Sequence, residues 1–472
     1  MSILKQSQRL IVTAALGVTL LSGCMFGGAE APTEAEPYSD AIVIRGEAAA
    51  PEAAKEGAAI AITVGEAAPD GEAAAAPAYE AEALATAMPS TSVDAARDST
   101  AETDSFAPQQ LSPLRAGEVD DNAQWDDYLL YRRGYSGPWV NEVDISERYV
   151  IDVTDGQGLP LLGANVSVAL PAGPQQEIFS ARTMANGRVL FHPLAAGLPL
   201  EQVNDFLVTV DYGSTSQQFA LTRLNAQPAT SFTDHWTVAL DARPTQANAL
   251  PLDVLFLVDA TGSMADEIAK IQSTIFDVSA QIDALPGRPN VRYGLVTYRD
   301  RGDLYVTRVS DFTPDVRDFS RSLDMVQAGG GGDYPESLNE GLHHAIHNVA
   351  WRGGEAVKLI FLVADAPPHL DYEQDYDYAV EMDIAARQGI KIFPIASSGL
   401  DDQGEYIFRQ LAQYTQGRFI FLTYADGSNG GDPGDVTTHH VDDYSVENLD
   451  QLLVRLVQEE LAHQSRQLVQ AQ

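Results

Sequence analysis

Hydroxyl and carboxylate side chains follow two apolar segments of the chain, and together they could hold a metal ion. Asp259, Thr261 and Ser263 come directly after the apolar run 254–258, and Asp365 follows a second apolar run. Such runs are typical of strands buried on both faces of a parallel sheet. Oxygen ligands suit a hard divalent cation such as Mg²⁺. The absence of thiolates and imidazoles from the group argues against zinc.

A glycine loop lies between these two segments in the sequence. Residues 329–332 are all glycine, and Asp333 follows them. Glycine lets a backbone approach a neighbouring site closely. For the first group alone, helix capping is the alternative, because Asp, Thr and Ser commonly cap helix N-termini. The combination with Asp365 and the glycine loop favours metal binding over capping.

These residues need a scaffold that brings strand ends together, and residues 250–472 have its pattern. Strand-like apolar segments alternate there with segments of helical periodicity, which predicts a doubly wound, mostly parallel α/β sheet. Such a sheet binds ligands beyond the carboxyl ends of its strands, where the strand order reverses. The predicted strands are 254–258, 291–298, 305–312, 359–363, 390–395 and 418–422, and the predicted helices are 268–282, 315–325, 336–349, 376–388, 405–414 and 446–463.

The spacing of Asp259, Thr261 and Ser263, joined to Asp365, resembles the metal-ion-dependent adhesion site of the von Willebrand factor A domain. The motif of that family is Asp-x-Ser-x-Ser, and threonine replaces its first serine here. The resemblance covers about residues 251–463 of the domain predicted at 250–472, and it implies that the two hydroxyls bind the metal directly. It also implies that the aspartates act largely through water or as hydrogen-bond acceptors around the metal.

The chain departs from the family at the middle loop, where the family has a threonine. Asp333 or Tyr334 stands there, and Asp333 would add a third carboxylate to the metal site. The resemblance implies Mg²⁺, with Mn²⁺ or Ca²⁺ as alternatives. It further implies an open coordination position that an acidic residue of a partner protein can fill.

The predicted function is therefore non-catalytic: adhesion or scaffolding through metal-dependent binding of a protein. One alternative is an assembly or chelatase-type partner of an AAA ATPase, as in some bacterial members of the family. The other alternative is a metal-assisted hydrolase. The sequence offers no Ser-His-Asp arrangement, nucleophile elbow or pair of separated catalytic carboxylates to support it.

The N-terminus predicts export and lipid attachment. Lys5 and Arg9 precede an apolar run of signal-peptide length, which is too short to span a membrane. The run ends in Leu-Ser-Gly-Cys24, which resembles the lipobox of bacterial lipoproteins. Residues 1–23 would be the signal peptide and Cys24 the acylated residue. Met25 at the next position implies the outer membrane, and a free cysteine within a simple secretory signal is the alternative.

Two further regions separate this anchor from the α/β domain. Residues 24–118 are rich in Ala, Glu and Pro and predict a disordered acidic stalk. Residues 119–249 show short strands with turn signals, including Asn186-Gly187, and predict a β-sandwich. This region resembles carboxypeptidase-regulatory-like and immunoglobulin-like modules, and it contains no group of residues that suggests chemistry.

Composition excludes two classes of partner and site. The net charge of −38 excludes electrostatic binding to nucleic acid, which depends on clustered Lys and Arg. The chain has a single cysteine, so it contains no internal disulfide and no Cys-rich zinc site.

Four other groups carry less specific signals. They are the helix-spaced histidines His343, His344 and His347, the tripeptide Arg301-Gly-Asp303, the acidic loop 426–435 and the pair His439-His440. An i, i+4 pair of histidines can bind metal, but the glutamate of HExxH is absent, so a solvated or packed helix face is predicted. The tripeptide is interpreted as a chance occurrence. The acidic loop is predicted to be flexible, with Ca²⁺ binding as the alternative.

Overall fold

The structure of the chain, a computed structural model, describes residues 113–171, 176–196, 203–223, 232–243, 249–285, 288–425 and 433–470. The predicted signal peptide, Cys24, the stalk as far as residue 112 and the loop 426–432 lie outside these described residues. No helix within the described ranges combines the length and the apolar character that crossing a membrane requires.

Fifteen strands and seven α-helices make up the described ranges. The strands are β1 Arg115–Val119, β2 Glu147–Asp155, β3 Asn165–Ala169, β4 Glu177–Arg182, β5 Arg188–Phe191, β6 Asp205–Tyr212, β7 Thr215–Thr222, β8 Phe232–Leu240, β9 Pro251–Asp259, β10 Asn290–Tyr298, β11 Thr307–Thr313, β12 Val357–Ala364, β13 Ile390–Ala396, β14 Phe419–Thr423 and β15 Ser445–Asn448. The helices are α1 Trp125–Gly134, α2 Ala265–Asp283, α3 Val316–Asp324, α4 Leu338–His347, α5 Tyr378–Arg387, α6 Asp402–Tyr414 and α7 Leu449–Gln470.

One eight-stranded sheet organises the C-terminal half, in the order β11-β10-β9-β12-β13-β14-β1-β15. The central strands β10, β9, β12, β13 and β14 are parallel, and the outer strands run antiparallel to their neighbours. The prediction of a mostly parallel α/β sheet is confirmed. The strand order reverses between β9 and β12, so the carboxyl ends of these two strands form a switch point.

The continuous apolar runs are explained by helices that cover both faces of the sheet. Along β9, Phe256 and Val258 contribute to one buried core, which includes the apolar stripe of α2, whereas Leu255 and Leu257 contribute to the other, with α4, α5 and α6. Successive residues of a strand point to opposite faces, so a strand covered on both sides must be apolar at every position. The register pairs Val258 with Val363 of β12, which places the residues that follow both strands at one edge.

The N-terminal boundary of this sheet differs from the prediction. The composition predicts a stalk that ends at residue 118, whereas Arg115–Val119 forms β1, inserted antiparallel between β14 and β15. A side chain at Gly117 would have its Cβ 2.6 Å from the tip of the Phe421 ring, so the close approach of β14 requires glycine. The partners of β1 lie about three hundred residues away, and local composition carries no signal for such pairing.

Two smaller sheets lie within the range predicted to be a β-sandwich. Their orders are β5-β2-β8 and β4-β3-β6-β7, and they share one apolar core that includes Tyr149, Phe206 and Trp236. The segment Asn186-Gly187 forms a turn, with Gly187 at φ +73°. An Asn-Gly turn between two strands is a strong signal for a hairpin, but β4 and β5, which flank this turn, belong to different sheets and form none. A Cβ on Gly187 would lie 2.5 Å from the Val153 carbonyl oxygen, so the turn is closely packed.

Candidate metal centre

The carboxyl end of β9 places the three predicted motif residues side by side. Thr261 donates two hydrogen bonds to Asp259 Oδ1, from its backbone N at 2.9 Å and from its Oγ1 at 2.6 Å. The Ser263 Oγ lies 3.1 Å from the Thr261 Oγ1. Both Asp259 and Thr261 are completely buried. The sequence therefore folds this segment into a tight cluster of oxygen atoms.

Helix capping does not explain this cluster. A short 3-10 turn at Gly262–Met264 precedes α2, and Met264 is the residue at the N-cap of that helix. Neither Thr261, at the N-cap of the 3-10 turn, nor Met264, at the N-cap of α2, caps the turn that follows it with its side chain. The hydroxyls of Thr261 and Ser263 instead lie close to each other and to the two aspartates, as the metal-site prediction requires.

Asp365 follows β12 and lies beside this cluster. Burial raises the pKa of Asp259 to about 7, the charge of Asp365 adds to the shift, and the hydrogen bonds from Thr261 oppose it. Burial also raises the pKa of Asp365 to about 6, against the effect of the adjacent Ser263 hydroxyl. Burial is the largest cause of both shifts, since removal from water disfavours the charged form of a carboxylate, and the charge of Glu267 adds to the shift of Asp365. The structure thus brings together Asp259, Thr261, Ser263 and Asp365.

The glycine loop covers the cluster. Gly262 donates its backbone N–H to the Gly330 carbonyl oxygen at 3.0 Å. Gly331 has φ +67°, and a Cβ there would lie 2.9 Å from the Thr261 Cβ. The Gly331 N–H donates to Asp303 Oδ2 at 2.9 Å, which holds the loop in place. The loop can therefore approach Thr261 this closely only because residue 331 is glycine.

The middle-loop carboxylate is Glu336, which the sequence prediction missed. Glu336 is 3% exposed. Burial raises its pKa to about 9, and the charges of Asp259, Asp300 and Asp365 add to the shift. Its backbone is tied to the loop after β12 by hydrogen bonds from its N–H to the Pro367 carbonyl oxygen, 3.1 Å, and from the His369 N–H to its own carbonyl oxygen, 3.0 Å.

Asp333, the predicted third carboxylate, is exposed and groups with other residues. One ligand atom each of Asp333, Asp300 and His369 lie within 4.8 Å of one another. Asp300 also accepts hydrogen bonds from Ser337 Oγ at 2.8 Å and from the Tyr372 hydroxyl at 3.0 Å. The nearness of Glu336 to Asp333, in the same loop and directly before α4, is the signal that could have identified it.

The donor atoms fit a hard divalent cation. Asp259 Oδ2, Asp365 Oδ1 and Glu336 Oε2 are buried and have no hydrogen-bond partner among the described residues. The charges that most affect the pKa values of these three groups are other carboxylates. Buried carboxylates ordinarily have a cationic or hydrogen-bonding partner. A divalent ion would supply that partner, and the all-oxygen donor set suits Mg²⁺.

The weaker sequence signals have structural explanations where the structure describes them. Arg301 forms ion pairs with Glu340 at 3.2 Å and Asp375 at 2.8 Å, and Asp303 holds the glycine loop, so the tripeptide has a packing role. His439 and His440 both lie beside Glu405. The pairing of His343 and His347 is described below.

Comparison with known proteins identifies part of the chain. Residues 253–424 match the sequence model of the von Willebrand factor A domain. The protein named alpha-protein kinase vwkA of Dictyostelium discoideum is 32% identical over 120 residues, which are 25% of this chain and 19% of the relative. The chain therefore spans about a fifth of the length of this relative.

Solved structures with low overall likeness include proximal thread matrix protein 1 from the mussel byssus. One structure of it, with a zinc-occupied MIDAS motif, is 18% identical, covers 36% of this chain and 40% of its own, and gives a TM-score of 0.28. Another is 16% identical, covers 35% and 40%, and gives a TM-score of 0.27. The match to the sequence model, the topology of the large sheet and the oxygen cluster at its switch point together identify residues 253–424 as a von Willebrand factor A domain.

Proposed function

We propose that this chain is a lipid-anchored protein of the bacterial cell envelope that binds a partner protein through a divalent metal ion in its von Willebrand factor A domain. The observation that carries the proposal is that the buried carboxylate oxygens Asp259 Oδ2, Asp365 Oδ1 and Glu336 Oε2 have no hydrogen-bond partner among the described residues. They lie at the switch point of the sheet, with the hydroxyls of Thr261 and Ser263. Binding rather than catalysis is proposed, in an adhesion or scaffold role.

Thr261, Ser263, Asp259 and Asp365 would hold the ion, which is Mg²⁺ in this proposal, with Mn²⁺ or Ca²⁺ as substitutes. When bound, the ion supplies a coordination position that a carboxylate of a second protein can fill. The residues of this chain fix the shape of the site and leave one side of it open. Asp259 and Thr261 are fully buried and hold each other in place, while Ser263 is exposed and faces an incoming ligand.

Calorimetric titration of Mg²⁺ into the full chain tests the metal site. We expect wild type to bind Mg²⁺ and Thr261→Ala to bind it at least about tenfold more weakly, since even supporting residues of metal sites have effects of that size. Thr274→Ala is the matched control, because the Thr274 hydroxyl donates only within α2, to the Lys270 carbonyl oxygen. Equal affinities of wild type and Thr261→Ala for Mg²⁺ would contradict the proposal.

A second experiment tests the carboxylate preference. Mn²⁺ bound to the chain enhances the relaxation of water protons, and a ligand that displaces metal-bound water lowers that enhancement. We expect a short peptide with one glutamate to lower it, and the same peptide with glutamine to leave it unchanged. If both peptides behave alike, the acid-directed binding is wrong even where the metal binds.

The envelope location rests on the N-terminal sequence. We expect the chain, expressed in a bacterial host, to incorporate labelled fatty acid and to fractionate with membranes, and Cys24→Ser to lose both properties. Acylation or membrane association that persists in Cys24→Ser would contradict the lipid anchor. The metal-binding proposal would be unaffected by that result.

A further inference from the structure

A second group of metal-binding residue types lies between α4 and α5. His343 Nδ1 lies 2.8 Å from Glu381 Oε1, and His347 Nε2 lies 2.9 Å from Glu381 Oε2. The two histidines are one helical turn apart on α4, so their rings share a face, with centroids separated by 4.5 Å. One glutamate from the next helix therefore bridges a histidine pair.

The charge of Glu381 is not compensated by a permanent cation. Its side chain is 5% exposed, and its ion pairs in the described part of the chain are with His343 and His347 alone. An imidazole is charged only when it is protonated. Burial of a carboxylate is costly unless it is paired.

Glu405 provides an internal comparison. It also lies beside two histidines, His439 at 3.1 Å and His440 at 3.2 Å. Arg409 is nevertheless within 3.4 Å of it and supplies a permanent positive charge. The two sites have the same residue types and different charge balance, and within the described residues only the site at Glu381 is without a permanent cation.

We propose that His343, His347 and Glu381 bind a divalent transition-metal ion, Zn²⁺, at a site separate from the all-oxygen cluster. One ligand atom from each residue lies within 4.8 Å of the other two. Two imidazoles and one carboxylate are a donor set that zinc favours, with ligand distances of about 2.0–2.2 Å. The histidine side chains are 22% and 32% exposed, so solvent reaches the fourth coordination position.

The surroundings hold the ligands in position before the metal binds. Tyr376 stacks on the His343 ring, with centroids 3.5 Å apart and an angle of 5° between the planes. The neighbouring Asp375 is fixed by Arg301 at 2.8 Å and by the Asn339 amide at 3.0 Å. Ligands held in this way lose less conformational entropy on binding, which favours affinity.

Calorimetric titration of Zn²⁺ tests the site, with a tag-free full chain that carries Cys24→Ser and with excess Mg²⁺ present. These conditions remove the thiol as a competitor and occupy the oxygen cluster. We expect one Zn²⁺ to bind, and His347→Gln and Glu381→Gln each to lower the affinity at least about tenfold. The matched control is His344→Gln, because His344 is on the same helix and its Nε2 lies 4.0 Å from Glu340.

Three results would overturn the proposal: no Zn²⁺ binding by the parent chain, unchanged affinity in His347→Gln, or an equal loss in His344→Gln. Co²⁺ absorption of the parent chain gives a second measurement that does not depend on the folding of a variant. We expect the intense visible bands of four-coordinate Co²⁺, displaced by one equivalent of Zn²⁺. The weak bands of six-coordinate Co²⁺ alone would contradict the site.

Discussion

The two ends of β9 carry the same residue type in opposite electrostatic situations. Asp253 and Asp259 are both completely buried. Asp253 accepts hydrogen bonds from Arg292 at 2.9 and 2.7 Å, and from the Arg352 side chain and backbone at 2.9 Å each. Asp259 accepts bonds from Thr261 at Oδ1, while its Oδ2 has no well-formed hydrogen bond within the described residues and lies near the Tyr298 hydroxyl and Asp365.

This contrast shows that burial alone does not mark a functional carboxylate. Asp253 is fully compensated and acts as a structural tie between β9, β10 and the segment before β12. Asp259 is uncompensated, and its burial therefore costs stability unless a cation binds. The carboxyl end of a parallel sheet is also the end at which α/β proteins bind ligands. The lack of a charge partner at Asp259 and the direction of the parallel strands thus indicate the same end of β9 as the binding end.

Substitution of the two aspartates should have unequal effects on stability, and this is the largest effect we expect. Asp253→Asn leaves two guanidinium groups without their anion and should lower the free energy of unfolding by about 3–5 kcal/mol. Asp259→Asn removes an uncompensated buried charge and keeps an acceptor for Thr261. It should leave the free energy of unfolding unchanged or higher. Urea unfolding in EDTA, followed by circular dichroism, measures both.

The stabilities of Asp253→Asn and Asp259→Asn should also respond differently to added Mg²⁺. Mg²⁺ should still stabilise Asp253→Asn and should no longer stabilise Asp259→Asn. Equal destabilisation by both substitutions in EDTA would show that the two ends of β9 do not differ in the way proposed.

His192 is another buried titratable group, and it lies outside the metal centre. Its ring lies 5.3 Å from that of Tyr414, and burial, with the charge of Arg148 adding, lowers its pKa to about 3. Between this value and the unfolded value of about 6.5, the unfolded state binds more protons, so stability is full above pH 6.5 and falls as the pH falls. From pH 7 to pH 5 the expected loss is about 2 kcal/mol.

Replacement of the histidine tests this acid sensitivity. His192→Phe should flatten the dependence of the free energy of unfolding on pH between 7 and 5, as measured by urea unfolding at several pH values. His235→Gln, at an exposed position of β8, is the control and should keep the wild-type slope. An unchanged slope in His192→Phe would assign the acid sensitivity to other groups.

The smallest effects that we expect come from alanine substitution of two glycines, one in the glycine loop and one between β6 and β7. Their comparison distinguishes the effect of backbone strain from that of contact with the metal centre. Gly331 and Gly213 both have positive φ, +67° and +57°, so the backbone strain of alanine should by itself cost about 1 kcal/mol of stability at either position. A Cβ at Gly331 would also press on Thr261, whereas one at Gly213 meets no atom within 4 Å. Only Gly331→Ala should therefore weaken Mg²⁺ binding in calorimetry. Equal Mg²⁺ affinity in the two variants would show that the glycine loop does not support the site.

The sequence predicted the sheet and most of the oxygen cluster because both depend on local signals. Asp259, Thr261, Ser263 and Asp365 follow apolar runs that are typical of buried strands, and parallel strands bring their carboxyl ends to one edge. The prediction of Asp333 rested on its place after four glycines. It missed Glu336, whose position depends on hydrogen bonds between the middle loop and the loop after β12.

The alternation of strands and helices and the residue types at the strand ends follow from spacing along the chain, so they can be recognised in the amino-acid sequence. Which charges are compensated depends instead on the folded arrangement. The arginines that neutralise Asp253 lie 39 and 99 residues away, and the histidines that meet Glu381 lie 38 and 34 residues away. Buried carboxylates differ through such distant partners, because the energy of a charge inside a protein is set by its neighbours in space.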